Sequence, residues 1–499
     1  MRIPHSAVSG RLTHEEPPTN IMKSSTAPAP VLFEAAEEPP SVRPDEPPSC
    51  TSTDEPPSCT STLPTAPASI FSLQSDSPRD LFFALKGTAA WNDWRWQMRN
   101  RVTSLQRLTE LFPELQNQIG LADAMAKFPM AITPYYASLI RSMDGTDPVF
   151  QMAVPQIQEL YDPPFLKNDP LEEDEDMPVP NLVHRYKDRA LILATTTCSM
   201  YCRHCTRKRI AGHHDSCISV EDIGRVADYL RRHPEVHDVI VSGGDPFTMA
   251  TPSLERVLAA IRSVPSVDII RIGTRTPVVM PMRITRDLAA MLRKYGPIWV
   301  NTHFNHPNEI TPEAAEACGR LVDAGIPMNN QSVLLRGIND QPQVMETLVR
   351  GLLKIRVKPY YLVQCDLVRG VEHFRTPISR GIEIMEYLRG RVSGLAIPNY
   401  VVDAPHGGGK IPVLPNYVIS SSPTHTVLRN FEGMLVNYPE PRGAVYTQAA
   451  AGDADSPVNG VYDLASGRHS SLVPHNSSRT LRRQAHHQQE DSLAAGAGE

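Results

Sequence analysis

"ALILATTTCSMYCRHCTRKR", residues 190–209, is an apolar, β-branched run followed at once by three cysteines and four lysine or arginine side chains. The run predicts a strand, and the cysteines therefore stand where a strand ends. Outward from it the same texture repeats. Further short strands are predicted at "DVIVSG" (238–243), "VDIIRIG" (267–273), "PIWVNTH" (297–303), "PMNNQSVLL" (327–335) and "VKPYYLVQC" (357–365). Between them lie amphipathic helical patterns such as "SVEDIGRVADYLRRH", with Ser219 as its N-cap, and "TPEAAEACGRLVDAG", which ends at a glycine. Alternating strands and helices imply parallel strands joined by right-handed crossovers. Six such units predict an α/β fold built as a partial (β/α)6 barrel, whose chemistry sits at the C-terminal strand ends.

Either side of this core the composition changes. Fourteen of the 47 prolines fall in the first 70 residues, where the nine-residue word "DEPPSCTST" occurs at 45–53 and again at 54–62. Such a stretch buries too little apolar surface to offset its ordering entropy. The expected organisation is a disordered extension over 1–75, a helical region over 76–180, the barrel over 181–395, a lysine-bearing segment over 396–440 and a disordered polar tail over 441–499. Within the helical region, the tryptophans of "WNDWRWQMRNRV" read as packing residues, and the acidic run "LEEDEDMPVP" (171–180) reads as a solvated loop.

The chain has 499 residues and a formal charge of −6, so no basic field favours nucleic acid. No apolar run reaches the roughly 18 residues of a membrane span, and the N-terminus lacks a secretory apolar segment, so a soluble cytoplasmic protein is expected. Eight cysteines in a chain of this length do not suggest a disulfide framework. Cys50, Cys59, Cys217, Cys318 and Cys365 are scattered and read as inert.

Cys198, Cys202 and Cys205 are different, spaced four and three apart. Structural zinc wants four protein ligands; His204 could complete a set, but no second cysteine pair stands nearby. A [4Fe–4S] cube bound by three thiolates keeps one iron open for another ligand, which fits CxxxCxxC after a barrel's first strand. Among the later words, the glycine pair of "SGGDP" (242–246) suits a backbone edge that approaches a ligand amino group. In "DAPHGGGKIP", three glycines before Lys410 suit a loop folding closely around a ligand, and "HRYKDRALIL" places Arg185, Tyr186 and Arg189 where an anion could bind.

With "IGTRTPVV", "NTHFNHPNEIT", "GIPMNNQSVLLRGIND", "DLVRGVEHFRTP" and "VVDAPHGGGKIPVLPNYVIS", in this order over roughly residues 90–435, the sequence resembles the lysine 2,3-aminomutase family of radical S-adenosylmethionine (SAM) enzymes. The resemblance implies a [4Fe–4S] cluster on Cys198, Cys202 and Cys205, SAM beside Ser242, Gly243, Gly244 and Asp245, and His303 and Gln331 holding other parts of SAM. It implies pyridoxal phosphate (PLP) on Lys410, with Arg185, Tyr186 and Arg189 at its phosphate. Arg207 matches the clamp for the substrate carboxylate, and Asp366 with Asp403 matches the pair that reads a lysine ε-ammonium. A glutamate substrate would set its second carboxylate against both aspartates. The expected activity is conversion of L-lysine to β-lysine by a 5'-deoxyadenosyl radical mechanism, an isomerase reaction. Arginine is the nearest alternative substrate, since a guanidinium would also pair with two carboxylates. His406 stands where the family commonly has glycine. From a different class, a non-catalytic iron–sulfur redox sensor is the alternative. The resemblance also implies an electron donor such as flavodoxin or ferredoxin and a homo-oligomer. A structural zinc site found in relatives is not expected, because Gln341 follows "GIND" and no cysteine follows Cys365.

Overall fold

Alternation of large apolar side chains sorts each core strand into two faces, and that sorting builds the barrel. The computed structural model describes residues 77–441 except 213 and 423, together with 481–486 and 488. The proline-rich repeats and most of the polar tail lie outside these residues. One sheet of nine strands runs in chain order: β1 (Leu182–Tyr186), β2 (Arg189–Thr195), β3 (Asp238–Gly243), β4 (Ile269–Gly273), β5 (Ile298–Thr302), β6 (Met328–Leu334), β7 (Lys358–Gln364), β8 (Asn399–Ala404) and β9 (Gly409–Pro412). Strands β2 to β8 are parallel, and β1 and β9 flank them antiparallel. The six predicted strands are β2 to β7; the sheet is wider by β1, β8 and β9.

Along β3 and β4, Val239, Val241, Ile270 and Ile272 are fully buried against the outer helices. Their neighbours Ile240, Arg271 and Gly273 line the lumen instead. Period-two alternation thus separates a dry outer core from a lumen free to carry chemistry. Ser219 caps the helix Val220–Arg232 through its hydroxyl, which accepts from the Asp222 amide at 3.0 Å. Thr311 caps Pro312–Asp323 in the same way, and Gly325 follows that helix at φ +81°.

Short helices between Pro78 and Leu160 form the N-terminal layer, in which Trp91 packs among Phe83 and Trp96. Hydrogen bonds from Thr133 to the Val279 carbonyl (2.6 Å) and from Tyr136 to Glu309 (2.7 Å) pin this layer to the barrel. A separate antiparallel sheet, β10 (Val418–Ser421), β11 (His425–Arg429) and β12 (Leu435–Pro439), follows. Among the described residues no helix is long and apolar enough to cross a membrane.

The two edges of the large sheet meet at the site. The Tyr186 hydroxyl, at the end of β1, accepts from the Lys410 amide of β9 at 3.0 Å. Gly409 sits at φ +82°, and a Cβ there would lie 2.8 Å from the Tyr186 oxygen, so the seam closes only around glycine.

Candidate active site

The cysteine loop leaves β2 at Thr195 and is fastened from both sides. The Gly244 and Asp245 amides donate to the Thr195 and Thr197 carbonyls at 2.5 and 2.8 Å. A Cβ at Gly243 or Gly244 would come within 2.3 Å of those same carbonyl oxygens. The glycine pair is therefore required first by backbone packing between β3 and the cysteine loop. From the other side, the Arg203 guanidinium is fully buried and grips Glu159 at 2.7 and 2.9 Å, while Lys208 reaches the same carboxylate at 3.1 Å. Two of the motif's four Lys/Arg side chains thus hold the loop in place.

Cys198, Cys202 and Cys205 line a small cavity with Tyr201 and Lys208. Burial, followed by their mutual repulsion as thiolates, pushes the Cys198 and Cys205 thiols up, so bare thiols stay protonated and a cationic partner is needed to hold them as thiolates. Among the described residues no three His, Cys, Asp or Glu side chains converge closely enough for a single metal ion. His204 packs edge-on against Phe374 and lies 3.4 Å from the Asn305 amide nitrogen. Three cysteines lining one small cavity, with His204 turned to Phe374 and Asn305, fit a cluster held by three thiolates.

Next to this loop, the lumen opens into a cavity of about 290 Å3. It is lined by Arg185, Tyr186, Arg189, Arg207, Ser242, His303, Gln331, Asp366, Asp403 and Lys410, all singled out from sequence. Gly243, Gly244 and Asp245 do not line it. Asp245 is turned inward, accepting from Thr274 (2.6 Å), the Arg275 amide (2.8 Å) and the Phe247 amide (3.1 Å). His303 meets the Gln331 carbonyl through Nδ1 at 3.1 Å, and burial, reinforced by Arg275, lowers its pKa to about 4.

Charge is arranged in the cavity by sign. Lys410 Nζ lies 2.5 Å from Asp403, which is only 6% exposed. Asp366 accepts from the Thr206 hydroxyl at 2.7 Å through one oxygen; the other is buried without a hydrogen-bond partner among the described residues. Burial, then repulsion from Asp403, raises the Asp366 pKa to about 6. Arg207 lies against Glu173 through Nε (3.0 Å) and Nη2 (2.7 Å), leaving Nη1 toward Ser242. Arg185 is held by Asp176 (3.0 Å) and the Leu171 carbonyl (2.6 Å), and Arg189 stacks over Tyr186.

The acidic run read as solvated is corrected here. Glu173 and Asp176 are buried and position Arg207 and Arg185, while Asp174 and Glu175 between them face outward. Charge counting held a usable signal, since two arginines in one cavity call for fixed counter-charges. Within the polar tail, residues 481–486 form a helical turn on this acidic loop. Arg483 bonds Asp176 (2.9 Å) and Glu172 (3.1 Å), and Arg482 donates to the Arg185 carbonyl. His406 does not line the cavity; it adopts φ +58°, a conformation suited to glycine, and its Nδ1 lies 2.7 Å from Glu172.

A family model for the radical SAM superfamily matches residues 192–348, which places the chain among radical SAM enzymes. A second, described as lysine-2,3-aminomutase, matches residues 385–496 and so reaches into the C-terminal segment beyond the resemblance seen in sequence. An L-lysine 2,3-aminomutase of Clostridium subterminale is 55% identical over 354 residues, 71% of this chain and 85% of that protein. That of Acetoanaerobium sticklandii is 49% identical over 415 residues, 82% of this chain and all of the relative. A glutamate 2,3-aminomutase of Clostridioides difficile is 45% identical over 70% of this chain and 84% of its own length. The chain belongs to the lysine 2,3-aminomutase family, and is an aminomutase of the radical SAM type.

Proposed function

We propose that this chain converts L-lysine to β-lysine, moving the amino group from C2 to C3. The carrying observation is one cavity that holds Lys410 and Arg207 together with the Asp366 and Asp403 pair. The ε-ammonium of Lys410 already rests on Asp403, so the pocket accepts an alkylammonium of the kind a lysine substrate carries. The buried free oxygen of Asp366 offers that cation a second acceptor. A glutamate side chain in the same place would set its carboxylate against two others.

When bound, the cluster and SAM supply an electron and a carbon radical, and PLP supplies the carbonyl carbon that carries the migrating nitrogen. The chain's residues do the rest. Cys198, Cys202 and Cys205 would hold the cluster; Ser242, His303 and Gln331, on the cavity wall in front of the Gly243, Gly244 and Asp245 turn, would hold SAM; and Arg185, Tyr186 and Arg189 would hold the PLP phosphate. Arg207, fixed by Glu173, orients the substrate carboxylate, and the aspartates fix its far end, so the reacting carbons are held between two anchored points. The closed β1–β9 seam limits water.

The reading includes a one-electron donor such as flavodoxin or ferredoxin. It also includes a homo-oligomer, supported by the exposed apolar side chains Ile419, Leu435 and Tyr438 on the small sheet. A cytoplasmic location suits the six unpaired cysteines of the described residues. The test is anaerobic. With cluster, SAM, PLP and reductant restored, L-lysine, L-arginine and L-glutamate are supplied separately and products identified by mass and chromatography. β-Lysine from lysine alone is expected; β-arginine instead would overturn the substrate assignment, and no product would overturn the activity.

A further inference from the structure

Of the three cluster cysteines, only Cys202 receives a side-chain hydrogen bond from a cation among the described residues. Arg275 Nη1 donates to its sulfur at 2.8 Å. This arginine is not among the cavity's lining residues. It is nonetheless built in with care. Its side chain is 8% exposed; Nη2 pairs with the fully buried Glu309 at 2.7 Å and Nε donates to the His303 carbonyl at 3.2 Å. Its own amide is held by Asp245 at 2.8 Å. Glu309 is fixed in turn by the Tyr136 hydroxyl (2.7 Å) and the Asn305 amide (2.6 Å). A buried charge that reaches one sulfur while a carboxylate grips its other nitrogen is an electrostatic setting for that sulfur.

We propose that Arg275 sets the reduction potential of the cluster held by Cys198, Cys202 and Cys205, acting as a cationic donor to the Cys202 sulfur whose strength Glu309 tempers. This rests on the radical reading above. When the oxidised cluster takes one electron from an external low-potential donor, negative charge accumulates on its sulfurs. A cationic N–H···S contact stabilises that reduced form and raises the potential. Glu309 works in the opposite direction, since its charge offsets the guanidinium from the far side. The structure therefore places two opposing levers, reached by separate substitutions, on one sulfur.

The experiment is an anaerobic redox titration of the reconstituted full-length protein, followed by electron paramagnetic resonance without SAM or amino acid, with iron and sulfide measured on every sample. Arg275→Met is expected to shift the midpoint to more negative potential, Arg275→Lys to shift it less in the same direction, and Glu309→Gln to shift it to more positive potential. A purely packing role would change cluster content without this pattern of opposite signs. Midpoints equal to the parent's at full iron content, or Arg275 and Glu309 variants moving the same way, would overturn the proposal. Should Arg275→Met fail to take up iron, the signs from Arg275→Lys and Glu309→Gln decide it. Opposite shifts in a protein that makes no β-lysine would sink the substrate reading and leave this one standing. A parent chain that binds no cluster would sink both.

Discussion

Asp366 carries a cost that the proposed pairing with a substrate ammonium requires, and the cost can be measured. Burial and the neighbouring Asp403 raise its pKa from the usual 3.8 to about 6, and one of its oxygens is buried without a partner. The folded protein therefore holds this proton more tightly than the unfolded chain. Below about pH 3 both states are protonated and nothing is lost. As pH rises from there, the unfolded chain gains by ionising first, and stability falls until the folded group also ionises near pH 6. At about 1.4 kcal/mol for each tenfold change, the full loss is about 3 kcal/mol above pH 7 and about half of that at pH 5. Asp366→Asn keeps an oxygen for the Thr206 hydroxyl and removes the titration. Urea unfolding of the cofactor-free protein should therefore find the variant more stable by about 3 kcal/mol at pH 8 and by about half as much at pH 5, while turnover of lysine is lost. A variant no more stable than the parent at pH 8, or one whose advantage is the same at both pH values, would refute the reasoning.

Three further outcomes follow from geometry already described. Glu159→Gln leaves Arg203 and Lys208 buried without their shared carboxylate, and should cost about 3–5 kcal/mol in urea unfolding. His406→Gly removes a side chain from a left-handed backbone position but also its contact with Glu172; stability should change by no more than about 1 kcal/mol, and the lysine-to-arginine preference in competition assays should stay as in the parent. Gly244→Ala would drive a methyl group into the Thr197 carbonyl at 2.3 Å, displacing the cysteine loop, so cluster absorbance after reconstitution should fall well below that of the parent.

How far the sequence could be read depended on the range of the forces involved. Local patterns were legible: "DVIVSG" is β3 residue for residue, and Ser219 caps its helix, because alternation and capping act within a few positions. The lumen set from Arg185 to Lys410 was legible through chemistry-bearing words rather than spacing, since 225 positions separate residues that share one cavity. Glu173 was not legible. Its burial depends on Arg207, 34 residues on, and nothing inside "LEEDEDMPVP" separates it from the exposed Glu175. Strands β8 and β9 hid for a related reason: "VVDAPHGGGK" looks like a glycine loop until Asp403 pairs with Lys410 across an antiparallel ladder.

The clasp of Arg482 on Arg185 joins residues 297 positions apart. On a ribosome adding about 5–20 residues per second, Arg185 therefore waits about 15–60 s for the segment that clasps it. A ribosome stalled before the last helical turn would leave the acidic loop and Arg185 without the contacts that Arg482 and Arg483 make.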